Sequence, residues 1–256
     1  MTQTGQLTAN KLKVRIYDSR IQMGAEAAKD VAEKIKELLL VKQGFVNIIF
    51  AAAPSQNEFL SSLSQEKNIN WRRVNAFHMD EYVGLDKNAS KRFGNFLKER
   101  LFDKVSFNKV HYLNGSAGDS DMECLRYSDL LKQFPADIVC MGIGENAHIA
   151  FNDPHTANFD DPLMVKMVTL DQASRQQQVH DGCFAQIEDV PTSAITLTVP
   201  ALLKANSIYC IVPGNNKANA VYHTLNSKVQ ETYPSTSLKR HINATLYLDK
   251  ESAAKL

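Results

Sequence analysis

Net charge is almost missing. Twenty-nine Lys and Arg offset 28 Asp and Glu, leaving a formal +1 over 256 residues, so there is no electrostatic footprint for nucleic acid or an anionic membrane. No apolar run approaches the roughly 20 residues that cross a bilayer, and the polar opening stretch MTQTGQLTAN lacks the apolar centre of a signal peptide. The four cysteines, Cys124, Cys140, Cys183 and Cys210, form no CxxC pair. Cys140 and Cys210 sit in apolar runs, the pattern of buried thiols in a reducing compartment. His, Asp and Cys nowhere cluster at zinc spacing, so no metal is expected. Repeats, linkers and low-complexity segments are absent too. The expectation is one cytoplasmic domain spanning 1–256, long enough for a sizeable α/β core, with neither nucleic acid nor membrane as partner.

What is present alternates. Residues 13–17 read as a strand, and 19–43 as a helix with Ala25, Ala28, Val31 and Ile35 on one face and Gly44 as a stop. The apolar run 45–51 (FVNIIFA) has the signature of a strand covered on both faces, and a helix follows from Ser55. Further strands are expected at 74–79, 109–113, 136–141, 165–170, 194–199, 207–212 and 244–248, with helices at 91–102, 122–134 and 216–225 and one helical turn at 200–204. Residues 156–162 are polar and turn-rich, 175–185 are polar and glutamine-rich, and neither is assigned an element. The alternation predicts an α/β, Rossmann-like open sheet, mainly parallel, with helices on both faces. In such sheets ligands bind at the carboxyl ends of strands, near a reversal of strand order. Four strands end in chemically unusual loops, at 52–55, 80–84, 142–153 and 214–217, and the rule places all four on one rim.

The loop after the strand at 136–141 reads MGIGENAHIAFNDP. Gly142 and Gly144 permit close backbone approach to a ligand, and Pro154 stops any long helix. The segment formally matches GxGxxA, but a dinucleotide site needs a long helix directly afterwards and an acid about 20 residues on at a strand end. Neither follows, since Asp160 and Asp161 do not end a strand. His148 reads either as a core histidine or, with Asn146 and Asp153 beside it, as an acid–base group. Asp80 caps a turn, or is a partly desolvated carboxylate with a raised pKa that serves as a base. Lys217 is a surface lysine, or a cation placed against a helix dipole because an anion such as phosphate binds there. Glu81 reads as structural, and His78 and Tyr82 as packing.

FHMDEYVGL (77–85) and GIGENAHIAFNDP (142–154) closely resemble the two signature segments of the glucosamine-6-phosphate deaminase/isomerase family. The similarity extends to Asn114-Gly115 and to 214–217. The sister 6-phosphogluconolactonases match less well after the histidine. The resemblance implies a Rossmann-like fold, no cofactor, and an enzyme that opens a hexosamine 6-phosphate ring, moves a proton between C2 and C1 and releases ammonia. By resemblance Asp80 is the proton-shuttling base, His148 the ring-opening acid/base, Asp153 its carboxylate partner where the family usually has Glu, and Lys217 a phosphate ligand.

Three departures stand out. Asn146 and Ala147 replace an aspartate and a glycine. An Asn orients an imidazole but brings no charge, and in a protease triad the analogous change costs about four orders of magnitude. Ala51, Ala52, Ala53 and Pro54 replace a Gly-Gly-Thr/Ser-Pro phosphate loop, which should limit positive φ; Ser55 offers a hydroxyl in compensation. The family's phosphate-gripping arginine is replaced near His180, with Arg175 the nearest guanidinium. Gly144 joins Ala52, Ala53, Ser55, Lys217, Arg175 and His180 as the expected substrate-binding set. Basic effector residues are largely missing from 156–166, so allosteric control is not carried over. The expected partner is a small sugar phosphate, of glucosamine or galactosamine type. Association into a homo-oligomer is left open. The alternatives are a non-catalytic sugar-phosphate sensor and a lactonase-like hydrolase.

Overall fold

The computed structural model describes residues 5–9 and 11–256. Among them, eight strands form the main sheet. In spatial order they are β1 (Gly5–Ala9), β2 (Leu12–Tyr17), β11 (Ala244–Asp249), β10 (Ser207–Val212), β7 (Ile138–Met141), β3 (Val46–Phe50), β4 (Val74–His78) and β6 (Lys109–His111). All neighbouring pairs are parallel except β1 with β2. Helices α1 (Arg20–Val41), α2 (Asn57–Gln65), α3 (Phe93–Leu97), α4 (Ser120–Gln133), α6 (Val199–Leu203) and α7 (Ala218–Asn226) connect them, with α5 (Gln172–His180) in the later half of the chain. The mainly parallel α/β architecture expected from the sequence is the one found.

Why β3 reads as one apolar run is visible in its packing. Side chains alternate across a strand, so Val46, Ile48 and Phe50 join the cluster containing α1 and α2 residues, while Ile49 joins Cys124, Tyr127 and Leu131 of α4 on the other face. Helix α1 begins where Ser19 accepts a hydrogen bond from the Gln22 amide, satisfying an amide of the first turn. No helix among the described residues is long and apolar enough to cross a membrane.

From β3 the chain steps outward through β4 to β6, then returns to β7 on the opposite side of β3 and steps outward again through β10 and β11. Strand order therefore reverses between β3 and β7, and the crevice lies at their carboxyl ends. Past the end of β4 the backbone leaves the main sheet altogether. It forms β5 (Asp80–Tyr82), antiparallel to β9 (Ser193–Leu197), which pairs in turn with β8 (Val165–Thr169).

Three elements depart from the expected list. β1 falls in the stretch read only as polar. β5 falls in a segment read as a loop; three residues carry too little alternation to signal a strand, and β9 supplies the pairing. α5 falls across the glutamine-rich segment and has no apolar stripe, because the residues it buries are Ser174, Gln177 and Gln178. The helix expected at 91–102 is α3 followed by a π-helical turn at Lys98–Phe102.

Small residues hold the loops in place. Gly84 N donates to Gly115 O (3.0 Å), and a Cβ on Gly115 would lie 1.8 Å from the Tyr82 carbonyl oxygen. Ala147, where the related motif has glycine, is buried at φ 67°. We expect Gly115→Ala to lower unfolding free energy by about 3 kcal/mol or more, since backbone rather than a flexible side chain must shift. Ala147→Gly should change it by less than about 1 kcal/mol: relief of left-handed strain (~1–2 kcal/mol) is offset by a lost buried methyl and a looser unfolded chain. Urea unfolding of both variants checks the pair.

Candidate active site

One cavity opens at the reversal crevice, and all four rim loops line it. Ala51, Ala52, Ala53, Ser55 and Gln56 come from the end of β3, and Met79 and Asp80 from the end of β4. Gly142, Gly144 and His148 follow β7, and Lys217 follows β10. Seven of the expected site residues, Ala52, Ala53, Ser55, Asp80, Gly144, His148 and Lys217, are brought together here.

Asp80 is buried, and its side-chain oxygens make no hydrogen bond within the described residues. Burial, then the neighbouring charge of Glu81, push its pKa well above the usual carboxylate range. Its backbone is pinned instead: Leu197 N donates to Met79 O (2.8 Å), and His78 Nδ1 lies 2.9 Å from Asp80 O. Leu113 N donates to His78 Nε2 (2.9 Å), which makes Nδ1 the protonated nitrogen. Burial lowers the His78 pKa to about 4, so this ring is a neutral strut. Glu81 faces the other way and is structural, as expected. Its carboxylate accepts from the Phe93 and Gly94 amides (3.0 Å each) at the start of α3.

His148 lies over Gly144 so closely that a Cβ there would sit 2.1–2.3 Å from three ring atoms. Its Nδ1 is 2.7 Å from Asn146 Oδ1, 2.9 Å from Ser174 Oγ and 3.2 Å from Asp153 Oδ1. Asn146 Nδ2 donates to Asp153 Oδ1 (3.0 Å), and Ser174 Oγ donates to the same oxygen. The amide of Asn146 is thus oriented by the carboxylate, with its oxygen left to take the imidazole proton. Asp153 still faces the ring directly, so the shorter side chain does not remove charge from the array. Burial alone would raise the Asp153 pKa; hydrogen bonding and charge from His148, then Ser174 and Asn146, outweigh it and hold the pKa below the usual range. With Nδ1 committed, Nε2 is the ring nitrogen free for chemistry.

Lys217 is only 3 % exposed and makes no ion pair within the described residues. Burial depresses its pKa, with the charges of Asp181 and Glu145 opposing the shift. A buried cation at the residue preceding α7 adds to the positive end of the helix dipole, and the combination favours an anion.

The alanine loop behaves differently from expectation. None of Ala51, Ala52 and Ala53 has positive φ, and Ala53 is extended at φ −158°, so glycine is not needed there. Arg175 and His180 do not line the cavity. The Arg175 guanidinium donates to the carbonyls of Ile187 and Val190, and His180, largely exposed, faces Glu145 at 3.4 Å. Gln56, Ser174, Gln177 and Gln178 were not singled out from the sequence. Their signal was weak, since amides and hydroxyls in a helix carry no pattern of their own. One group with ligating geometry, Asp153, His155 and Asp171, exists among the described residues. Its carboxylates accept hydrogen bonds from Asn146 and Ser174, and His155 Nε2 lies 3.1 Å from the Thr169 carbonyl oxygen.

The sequence family described as glucosamine-6-phosphate isomerases/6-phosphogluconolactonase matches residues 18–247. A glucosamine-6-phosphate deaminase of Listeria monocytogenes is 33 % identical over 233 residues, covering 91 % of this chain and 95 % of that one. Another, from Bacillus thuringiensis, is 37 % identical over 188 residues, 73 % of this chain and 70 % of that one. Among solved structures, a monomeric glucosamine-6-phosphate deaminase superposes with a TM-score of 0.86 at 27 % identity, covering 95 % and 99 % of the two chains. A Shewanella baltica 6-phosphogluconolactonase, at 16 % identity and TM-score 0.74 over 92 % and 96 %, shares the fold. The chain belongs to the glucosamine-6-phosphate isomerase/6-phosphogluconolactonase family.

Proposed function

We propose that the protein is an aldose–ketose isomerase/deaminase that converts glucosamine 6-phosphate, or its galactosamine epimer, to a ketose phosphate and ammonia, acting as a single domain. The observation that carries this reading is the convergence of Asp80, His148 and Lys217, borne by three different strand ends, on one cavity. Lys217 and the Ser55 hydroxyl grip the phosphate. His148, through Nε2, moves a proton between the anomeric hydroxyl and the ring oxygen, opening the sugar to the aldehyde. Asp80 then takes the C2 proton, made acidic by the adjacent carbonyl, and returns it to C1. The resulting C2 iminium adds water and expels ammonia.

Asp80 suits this task because it is kept out of water without hydrogen bonds that would hold its charge, so its basicity is high. Asn146, Asp153 and Ser174 hold the imidazole in one orientation. The charge of Asp153 at 3.2 Å from Nδ1 stabilises the imidazolium, which weighs against a sensor that has lost its chemistry. A lactonase reading rests on the joint family description and on structural neighbours of about 16–17 % identity.

Ammonia release from glucosamine 6-phosphate tests the proposal, with galactosamine 6-phosphate and 6-phosphogluconolactone as parallel substrates; acid from the lactone without ammonia would replace it. Asp80→Asn should lose at least ~100-fold in kcat and gain stability. The sign follows from linkage. With the folded pKa raised, the native state holds its proton while the unfolded chain has lost it, so stability falls as pH climbs from the unfolded value through the folded one. The variant escapes that loss: its Tm should exceed the parent's at pH 8 and match it at pH 3. Lys217→Met should raise KM roughly 10–100-fold with a smaller change in kcat, and steady-state kinetics separates the two.

A further inference from the structure

Gln56 is buried, at 1 % exposure, and walls the cavity beside Ser55 and Gly142. Its Nε2 donates to the Ile211 carbonyl at the end of β10 (3.1 Å) and to Ser55 Oγ (3.2 Å). The amide cannot be turned over, because that would set Oε1 against the Ile211 carbonyl oxygen. Gly142 keeps this arrangement open; a Cβ there would approach Nε2 to 3.1 Å. With both donors committed, Oε1 is left without any hydrogen-bond partner among the described residues. A buried acceptor in that state carries a desolvation penalty that a donor on a bound molecule would relieve. The anchoring also acts on Ser55. Its oxygen already accepts from Gln56, so the hydroxyl proton remains available to an anion.

We propose that Gln56 is a specificity-determining residue whose Oε1 accepts a hydrogen bond from one sugar hydroxyl of the bound amino-sugar phosphate. This rests on the reading of the cavity as a sugar-phosphate site. The residue reads the sugar rather than performing chemistry. A site built to satisfy a hydroxyl discriminates against an analogue lacking it, because the buried acceptor is then stranded.

The test is a cycle of kcat/KM values for the wild-type protein and Gln56→Met, each with glucosamine 6-phosphate and its 3-deoxy and 4-deoxy analogues. One analogue should lose about tenfold on the wild type and less than about threefold on the variant. Equal losses on both proteins for both analogues would overturn the proposal and reduce Gln56 to a structural brace. Should Gln56→Met fold poorly by circular dichroism, Gln56→Asn withdraws the carbonyl by one methylene while keeping an amide, and the same cycle applies. If the wild type releases no ammonia from the parent sugar, the assigned activity fails separately. Calorimetric affinities for the same ligands then read the same coupling, and its absence there overturns the proposal too.

Discussion

The hydrogen bond from Leu197 N to Met79 O, 2.8 Å long, is the seam between two sheets, and the site depends on it. At Met79 the backbone stops following the parallel sheet, and at Asp80 it begins to pair with Thr196 of the small one. A chain changing sheets at this point carries its next side chain to the crevice between β3 and β7. The neutral His78 ring, bridging the Asp80 carbonyl and the Leu113 amide, locks the transfer. Asp80 is thereby held in a poorly solvated position by backbone hydrogen bonds, with none to its carboxylate among the described residues.

That arrangement separates two carboxylates of the same site. Asp80 has burial without donors, and its pKa rises; Asp153 has burial with three donors, and its pKa falls. Environments that drive titratable groups apart assign roles to them. In the proposed reaction one is the base that exchanges a proton with carbon, the other a permanent charge behind an imidazole. Burial pushes both upward; only at Asp153 do hydrogen bonds and the His148 charge reverse the sign. Where Asn146 replaces an acid, its amide takes its orientation from Asp153, whose carboxylate still faces the ring at 3.2 Å.

Much of this was legible in the residues. Long apolar periodicity marked α1, and the unbroken run at β3 announced a strand covered on both faces. The loops carrying Asp80, His148 and Lys217 could be placed on one rim by strand alternation alone. What stayed hidden shares a cause. β5 is too short to have a period, and α5 buries polar residues because it packs against a polar site; both take their definition from tertiary partners. The expectation that alanines would restrict the 51–53 loop where glycines are usual had no consequence, because the backbone there never enters the left-handed region. Arg175 looked available as a cation, yet its guanidinium is spent on the carbonyls of Ile187 and Val190, an engagement that spacing cannot reveal.

Lys217 has a consequence for the life of the protein outside catalysis. A lysine sequestered from water, with no ion pair among the described residues, weakens the resting fold, and an anion arriving beside it removes that load, so occupancy tightens the native state by mass action. Where proteases sample the opened chain, turnover of the protein itself becomes tied to how often the crevice is filled. Scarcity of the phosphorylated sugar would then thin out the population of molecules that consume it, with no dedicated regulatory site.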